Sequence, residues 1–140
     1  MDVETRAALL AESDRADVIA LADELIERHG SPEIILAPEP GLVALEVREP
    51  VCRERFIVGD VLVTRAEVVI AGSEGWAARM GADREAALAA AVCAAVGDNG
   101  LVGATDVDDL CDKTALVLGD RARREWRDLA PTMVEFEEMD

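Results

Sequence analysis

Few side chains in this sequence can do chemistry near neutral pH, and their spacing limits which chemistry. There is one histidine, His29, and there are three cysteines, Cys52, Cys93 and Cys111, set far apart. Zinc and iron–sulfur sites draw on cysteine pairs or cysteine–histidine clusters at short spacing, so no metal is expected. A nucleophile–histidine pair would have to be built around His29, and the GxSxG, HExxH and P-loop patterns are missing. His29 precedes Gly30-Ser31-Pro32 and reads as the end of a helix, where the dipole favours it. Cys93 sits in an alanine-rich helical pattern and reads as packing material. Cys52 lies in Glu49-Pro50-Val51-Cys52-Arg53-Glu54-Arg55. Positive neighbours favour a thiolate, but with no histidine beside it an incidental cysteine is the stronger reading.

Carboxylates are abundant, so their pairing says little. Thirty acids face fourteen bases, a formal net charge of −16. Glu24 with Glu27, or Asp106 with Asp108-Asp109, reads as a solvated face rather than a catalytic dyad. The Asp106–Asp109 run lacks the glycine turn and distal glutamate of an EF-hand loop. The bases carry more information. Residues 1–33 hold nine acids and three bases, whereas 41–71 hold five acids and four arginines, Arg48, Arg53, Arg55 and Arg65. Arginine is the planar donor suited to carboxylate and phosphate. The candidate contact set for a partner or an anion is therefore Arg48, Arg55, Phe56, Asp60, Arg65 and Trp76. Local pairing competes with this reading, through Arg65 with Glu67, or Arg53 and Arg55 with Glu54 and Asp60.

The elements that must carry these residues follow from periodicity. With 140 residues, 51% of them hydrophobic, the chain makes one domain over 1–140 and has enough apolar material for a core. No apolar run reaches the ~18 residues of a membrane span. Asp2 and Glu4 stand where a signal peptide would be basic and then apolar, so a cytoplasmic protein is expected. Its acidity opposes binding to nucleic acid or to an anionic membrane. Asp14 caps a helix with Val18, Leu21, Ala22, Leu25 and Ile26 on one face, preceded by a helical pattern from Val3 to Leu10.

From Ile34 the period becomes that of strands. Ile34-Ile35-Leu36 is broken by Pro38-Glu39-Pro40-Gly41, and Gly41 to Arg48 alternates. Phe56 to Val58 and Val61 to Ala71 are strands separated by Gly59-Asp60. Gly72-Ser73-Glu74-Gly75 is a hairpin turn, with Trp76 to Met80 returning. Asp83 caps an alanine-rich helix with Leu88, Val92 and Val96 as its buried stripe. Helices then run from about Asp106 to Leu118 and from Arg121 to Leu129. Pro131 ends the second, Thr132 to Phe136 forms a last strand, and Glu137-Glu138-Met139-Asp140 is a solvated tail. The predicted class is α+β, an antiparallel meander with N-terminal helices and the alanine-rich helix packed on one face.

An ordered set of short motifs does better than any one of them. Pro38-Glu39-Pro40-Gly41-Leu42-Val43 is followed by Glu54-Arg55-Phe56 with Gly59-Asp60, then Val63-Thr64-Arg65-Ala66-Glu67-Val68. Gly75-Trp76-Ala77 and Gly81-Ala82-Asp83-Arg84 come next, and Met133-Val134-Glu135-Phe136 near the end. In order and spacing the pieces from about residue 33 to 97 resemble the PhnG subunit family of the bacterial carbon–phosphorus lyase system, and the tail piece looks like that family's C-terminal segment. The resemblance implies an accessory subunit of a cytosolic core complex with PhnH, PhnI and PhnJ. That complex forms alpha-D-ribose 1-methylphosphonate 5-triphosphate from ATP and an alkylphosphonate during phosphonate catabolism. PhnI looks like the catalytic component. ATP is used by the complex, no cofactor is bound by this chain, and no catalytic residue carries over to it. The glycine-rich loop usual before Glu-Arg-Phe is here Pro50-Val51-Cys52-Arg53, which lacks the freedom for positive φ that glycine supplies. That departure leaves open a free-standing anion-binding or interaction domain and, more weakly, an enzyme using Cys52.

Overall fold

In the computed structural model, which describes residues 1–138, the chain opens with two capped helices. Asp2 accepts from the Thr5 amide at 2.7 Å and starts α1 (Val3–Glu12). Asp14 accepts from the Asp17 amide at 3.2 Å and starts α2 (Arg15–His29). Gly30 ends α2 with φ of 92°, a conformation open to glycine without a Cβ penalty. Three strands follow, β1 (Glu33–Arg48), β2 (Arg55–Ile70) and β3 (Ser73–Met80). They form an antiparallel sheet of order β1-β2-β3. Then come α3 (Arg84–Asp98), capped by Asp83, and α4 (Ala104–Glu138). The class is α+β.

Several local expectations are corrected. The β2–β3 turn is Ala71-Gly72, both residues at positive φ (49° and 76°), the pattern of a type I′ hairpin that matches strand twist. Gly72–Gly75 is therefore not the turn, and Ser73 to Gly75 already belong to β3. The prolines do not break β1. It runs through Pro38 and Pro40 with register shifts between Ile34 and Leu36 and between Leu36 and Glu39. Because β1 is an edge strand, a missing N–H can face outward without losing a ladder bond. Gly59-Asp60 does not divide β2 either; a shift opposite Leu45/Glu46 absorbs the irregularity.

Alternate residues of β2, Thr64, Ala66, Val68 and Ile70, are buried together with Gly75 and Ala77 of β3. This face packs on α3. The expected stripe on α3 understates its burial, since every residue from Ala86 to Gly97 except Leu88 is buried. The helix lies between the sheet on one side and α1, α2 and α4 on the other, so apolar residues are needed all round it. Alanine lets the layers come close, and Gly75 marks the closest point. A Cβ there would lie 2.3 Å from the Ala95 nitrogen and 2.4 Å from the Ala91 oxygen.

Charged side chains close the corners of this packing. Arg6, 5% exposed, donates to Asp98 at 2.6 Å, to Asp108 at 3.2 Å and to the Met1 carbonyl at 3.1 Å. It ties α1 to the end of α3 and the start of α4. Arg79 of β3 donates to the Leu10 and Ser13 carbonyls at 2.7 and 2.9 Å, satisfying acceptors that the end of α1 leaves free.

The C-terminal region departs furthest from expectation. One helix replaces the two short helices and the strand, running through Gly119 and Pro131. The segment Thr132–Phe136 is helical and so forms no strand. Within a continuous helix Gly119 costs only ~1 kcal/mol relative to alanine. Residues Met139 and Asp140, half of the expected solvated tail, lie outside the described residues.

Gly75→Ala tests the close approach of sheet and helix. It should destabilise the protein by roughly 3 kcal/mol in denaturant unfolding, because backbone cannot yield as a side chain does. Gly41→Ala, where an added Cβ meets nothing within 4 Å, should stay within about 0.5 kcal/mol. Equal effects at the two sites would contradict the packing described.

Candidate functional site

Beyond Met80, which pairs with Val63, β3 no longer covers β2. From there to the tip, β1 and β2 form a two-stranded arm pairing Gly41–Arg48 with Arg55–Val63. Such ribbons are marginal in water without further support. This one nevertheless exposes apolar side chains, including Leu42 at 69%, Ile57 at 65% and Val58 at 59%, with Val43, Leu45 and Phe56 about half exposed. Contiguous exposure of this kind marks an interaction surface.

The tip is closed by Glu49. Its carboxylate accepts from the Val51 amide at 2.8 Å and from the Cys52 amide. The Glu49 amide donates to the Glu54 carbonyl at 2.9 Å. The Cys52 and Val51 amides hold the Glu49 carboxyl below its ordinary pKa. Arg53 takes φ of 57°, the left-handed conformation for which the sequence offers no glycine. The turn thus keeps the geometry a glycine would favour and leaves a non-glycine side chain to bear it. Its amides at Val51 and Cys52 are occupied by a carboxylate and do not form an open cradle for an anion.

The six sequence-predicted contact residues fall into two groups, all of them exposed. Arg48 and Arg55 face each other across the last pair of the arm, and Phe56 stands opposite Val47, with Asp60 further in, opposite Ala44. Like charges directly opposite repel, but three arginines and three glutamates between 46 and 55 leave the tip formally neutral. Arg65 and Trp76 belong to the body, on the sheet face away from α3. Arg65 stands between Glu39 and Ala78, and Trp76 is opposite Glu67. Among the described residues, no ion pair involves Arg48, Arg53, Arg55 or Arg65.

Trp76 is 50% exposed. It borders a shallow pocket of about 330 Å³ with Ile35, Glu67 and Glu74. On its other side lies an apolar groove formed with Val3, Ala7 and Ala11 of α1.

The remaining reactive groups are placed elsewhere. His29 Nε2 lies 2.7 Å from the Val102 carbonyl oxygen. Burial pushes the Cys93 thiol up to about 12 and the Cys111 thiol up to about 11. Cys52 is exposed in the tip turn. Among the described residues, no group of three or more histidine, cysteine or carboxylate side chains is arranged to hold a metal ion. No helix there is long and apolar enough to cross a membrane.

With this geometry in place, comparison with known proteins decides the family. A family model described as "Phosphonate metabolism protein PhnG" matches residues 4–140. The chain belongs to the PhnG family. Compared directly with curated proteins, it matches none. The family match extends the resemblance read from the motifs to α1, α2 and α4, and family membership gives the chain a role in phosphonate metabolism. Sequence reasoning missed the apolar flanks of the arm, Leu42, Val43, Leu45, Ile57 and Val58. Their alternation reads as core until it is known that β3 stops short of them.

Two measurements test the site. Arg53→Gly should relieve the left-handed residue and slow amide exchange at the tip, by an amount corresponding to about 1 kcal/mol. Faster exchange would mean that the Arg53 side chain holds the turn. In native protein one thiol, Cys52, should react readily with an alkylating reagent, with Cys93 and Cys111 reacting only on unfolding. Three thiols of equal rate would contradict the buried placement.

Proposed function

We propose that the chain is an accessory, non-catalytic subunit of the carbon–phosphorus lyase core complex, assembling in the cytoplasm with PhnH-, PhnI- and PhnJ-type subunits. The complex would form alpha-D-ribose 1-methylphosphonate 5-triphosphate from ATP and an alkylphosphonate, with ATP bound by another subunit. The observation that carries this reading is the arm, an apolar ribbon of formal charge only −1 over residues 41–63, four acids against three arginines, projecting from a chain of charge −16. A body this acidic repels other acidic bodies at long range, so contact falls to a locally less acidic surface. Bound between neighbouring subunits, the arm would gain the cover that its own body withholds.

The chemistry-bearing side chains support the same reading. The one histidine meets a backbone carbonyl, two of the thiols are buried, and the amides of the tip are taken by Glu49. The pocket beside Trp76 is bordered by two glutamates, a poor setting for a phosphonate or triphosphate, whose charges they would repel.

Co-expression with the other core subunits should yield a stable complex, and the purified chain alone should show no phosphonate–ribosyl transfer and no nucleosidase activity. Phe56→Asp, placing a charge on the half-exposed face of the arm, should weaken assembly by about 2 kcal/mol or more. Arg55→Glu should cost more than ~1 kcal/mol as a charge-assisted contact. Arg28→Glu, on exposed α2 surface, is the control and should have almost no effect. A chain that stays alone with every core subunit present would overturn the assignment, as would turnover by the isolated chain that a point substitution within it abolishes.

A further inference from the structure

Helix α4 begins as part of the core and ends as something else. Val107, Leu110, Cys111 and Thr114 are buried against the other helices, whereas every residue from Asp120 to Leu129 is exposed. From Asp120 to Glu138 the helix extends for roughly 28 Å at 1.5 Å per residue. Helices of this length are marginal in water without a packed face. A face is nonetheless present. Leu118, Ala122, Trp126 and Leu129 fall within about 80° of arc at 3.6 residues per turn. Trp126 is 60% exposed and Leu129 57%. Arg121, Arg123, Arg124 and Arg127 accompany this stripe against Asp120, Glu125 and Asp128. Four bases less three acids give this stretch +1 on a chain whose total is −16.

The open face of the sheet has the opposite character. Leu36, Glu67 and Trp76 are matched across the three strands, with Glu33, Val69 and Glu74 matched one step along. Ile35, Val68, Gly75 and Trp76 line the shallow pocket beside them, with Glu67 and Glu74 at its border. With Glu39 and Arg65 in the next row, four glutamates and one arginine give this face a formal charge of −3 around an exposed tryptophan. Helix α3 occupies the other face, and α1 borders this one only along Trp76 and Ala78.

We propose that the exposed part of α4, Leu118 to Leu129, seats on the open sheet face of a second copy of this chain, with the exchange reciprocal. Trp126 and Leu129 would lie against Ile35 and Trp76, and the arginines of outer α4 would meet Glu67, Glu74 and their neighbours. Both surfaces are apolar at the centre, opposite in charge at the rim and uncovered in the single chain. Every residue of α4 from Asp120 to Leu129 is exposed in the single chain, so the partner surface comes from another molecule. Net repulsion between two acidic chains is screened beyond about 8 Å at physiological salt, which leaves the local complementarity to act at contact. A reciprocal exchange closes with two-fold symmetry and stops at a dimer. An anionic membrane suits outer α4 less well, because three acids interrupt its arginines and stable attachment needs a stronger basic cluster.

Sedimentation equilibrium of the full chain, with no other subunit present, tests this and does not depend on the complex proposed above. The chain should be a dimer. Trp126→Ser with Leu129→Ser should weaken it by roughly thirtyfold, the scale of interface hot spots. The triple reversal Arg121→Glu, Arg123→Glu, Arg124→Glu should weaken it, as should Glu67→Arg with Glu74→Arg. All of these positions are exposed or half-buried, and slow amide exchange in α3 verifies that each variant is folded. Combining the two charge reversals should restore the dimer, which loss of structure alone would not do. A monomer up to its solubility limit overturns the proposal. So does a dimer insensitive to either set, or a combined variant weaker than both parents. Protection of the α4 amides on anionic vesicles, or only after other subunits are added, would assign outer α4 to those partners instead.

Discussion

The body of the protein depends on one close approach, that of α3 to the inner face of β2 and β3. Nine alanines, two valines, a cysteine and two glycines do nearly all of it, through Ala66, Ala77 and Gly75 on the sheet and the run from Ala86 to Gly97 on the helix. With side chains so small, contact is made by backbone and Cβ atoms, and dispersion is gained by proximity rather than by bulk. Such a layer tolerates little added volume. It also leaves few large side chains for the remaining helices to grip, and α1, α2 and α4 are held partly by charged corners.

Those corners explain why so acidic a chain can close at all. Arg6 sits nearly buried between Asp98 and Asp108. Burial works against its charge, but the two carboxylates more than compensate, and the guanidinium is held above its ordinary pKa. Arg15 spans from α2 to Asp83 and Glu85 at the start of α3. Lys113, the one lysine, reaches from α4 to Asp17. Each basic group joins elements distant in sequence, whereas most acids remain on solvated faces. Arginines at the tip of the arm and along outer α4 are not used in this way, except Arg123, which pairs with Asp120 one turn away.

A compact centre with two projections follows. The β1–β2 arm and the outer part of α4 both carry apolar side chains into solvent, and both are far less acidic than the N-terminal helices. Both extensions suit the contacts with neighbours proposed above.

Much of this was legible in the sequence because it is local. Asp14 and Asp83 mark helix starts, Gly30 marks a stop, and the change from a period near four to a period of two marks the sheet. Whether an apolar residue is core or surface is not local. Phe56 and Trp76 have the composition of buried strand residues, and only the length of β3 and the position of α3 leave them half exposed. The tip turn was legible as unusual, since its glycine is missing, yet its closure by Glu49 and the left-handed Arg53 emerges only in three dimensions. Pro38, Pro40 and Pro131 read as breaks because proline removes a donor. The first two sit on an edge strand that has no second neighbour to satisfy, whereas α4 simply continues through the last. The sequence by itself determined the caps at Asp14 and Asp83, the α+β class and the family. Tertiary structure decided which strands and helices outrun their partners, because that depends on relative lengths across the packed layers and not on any single segment.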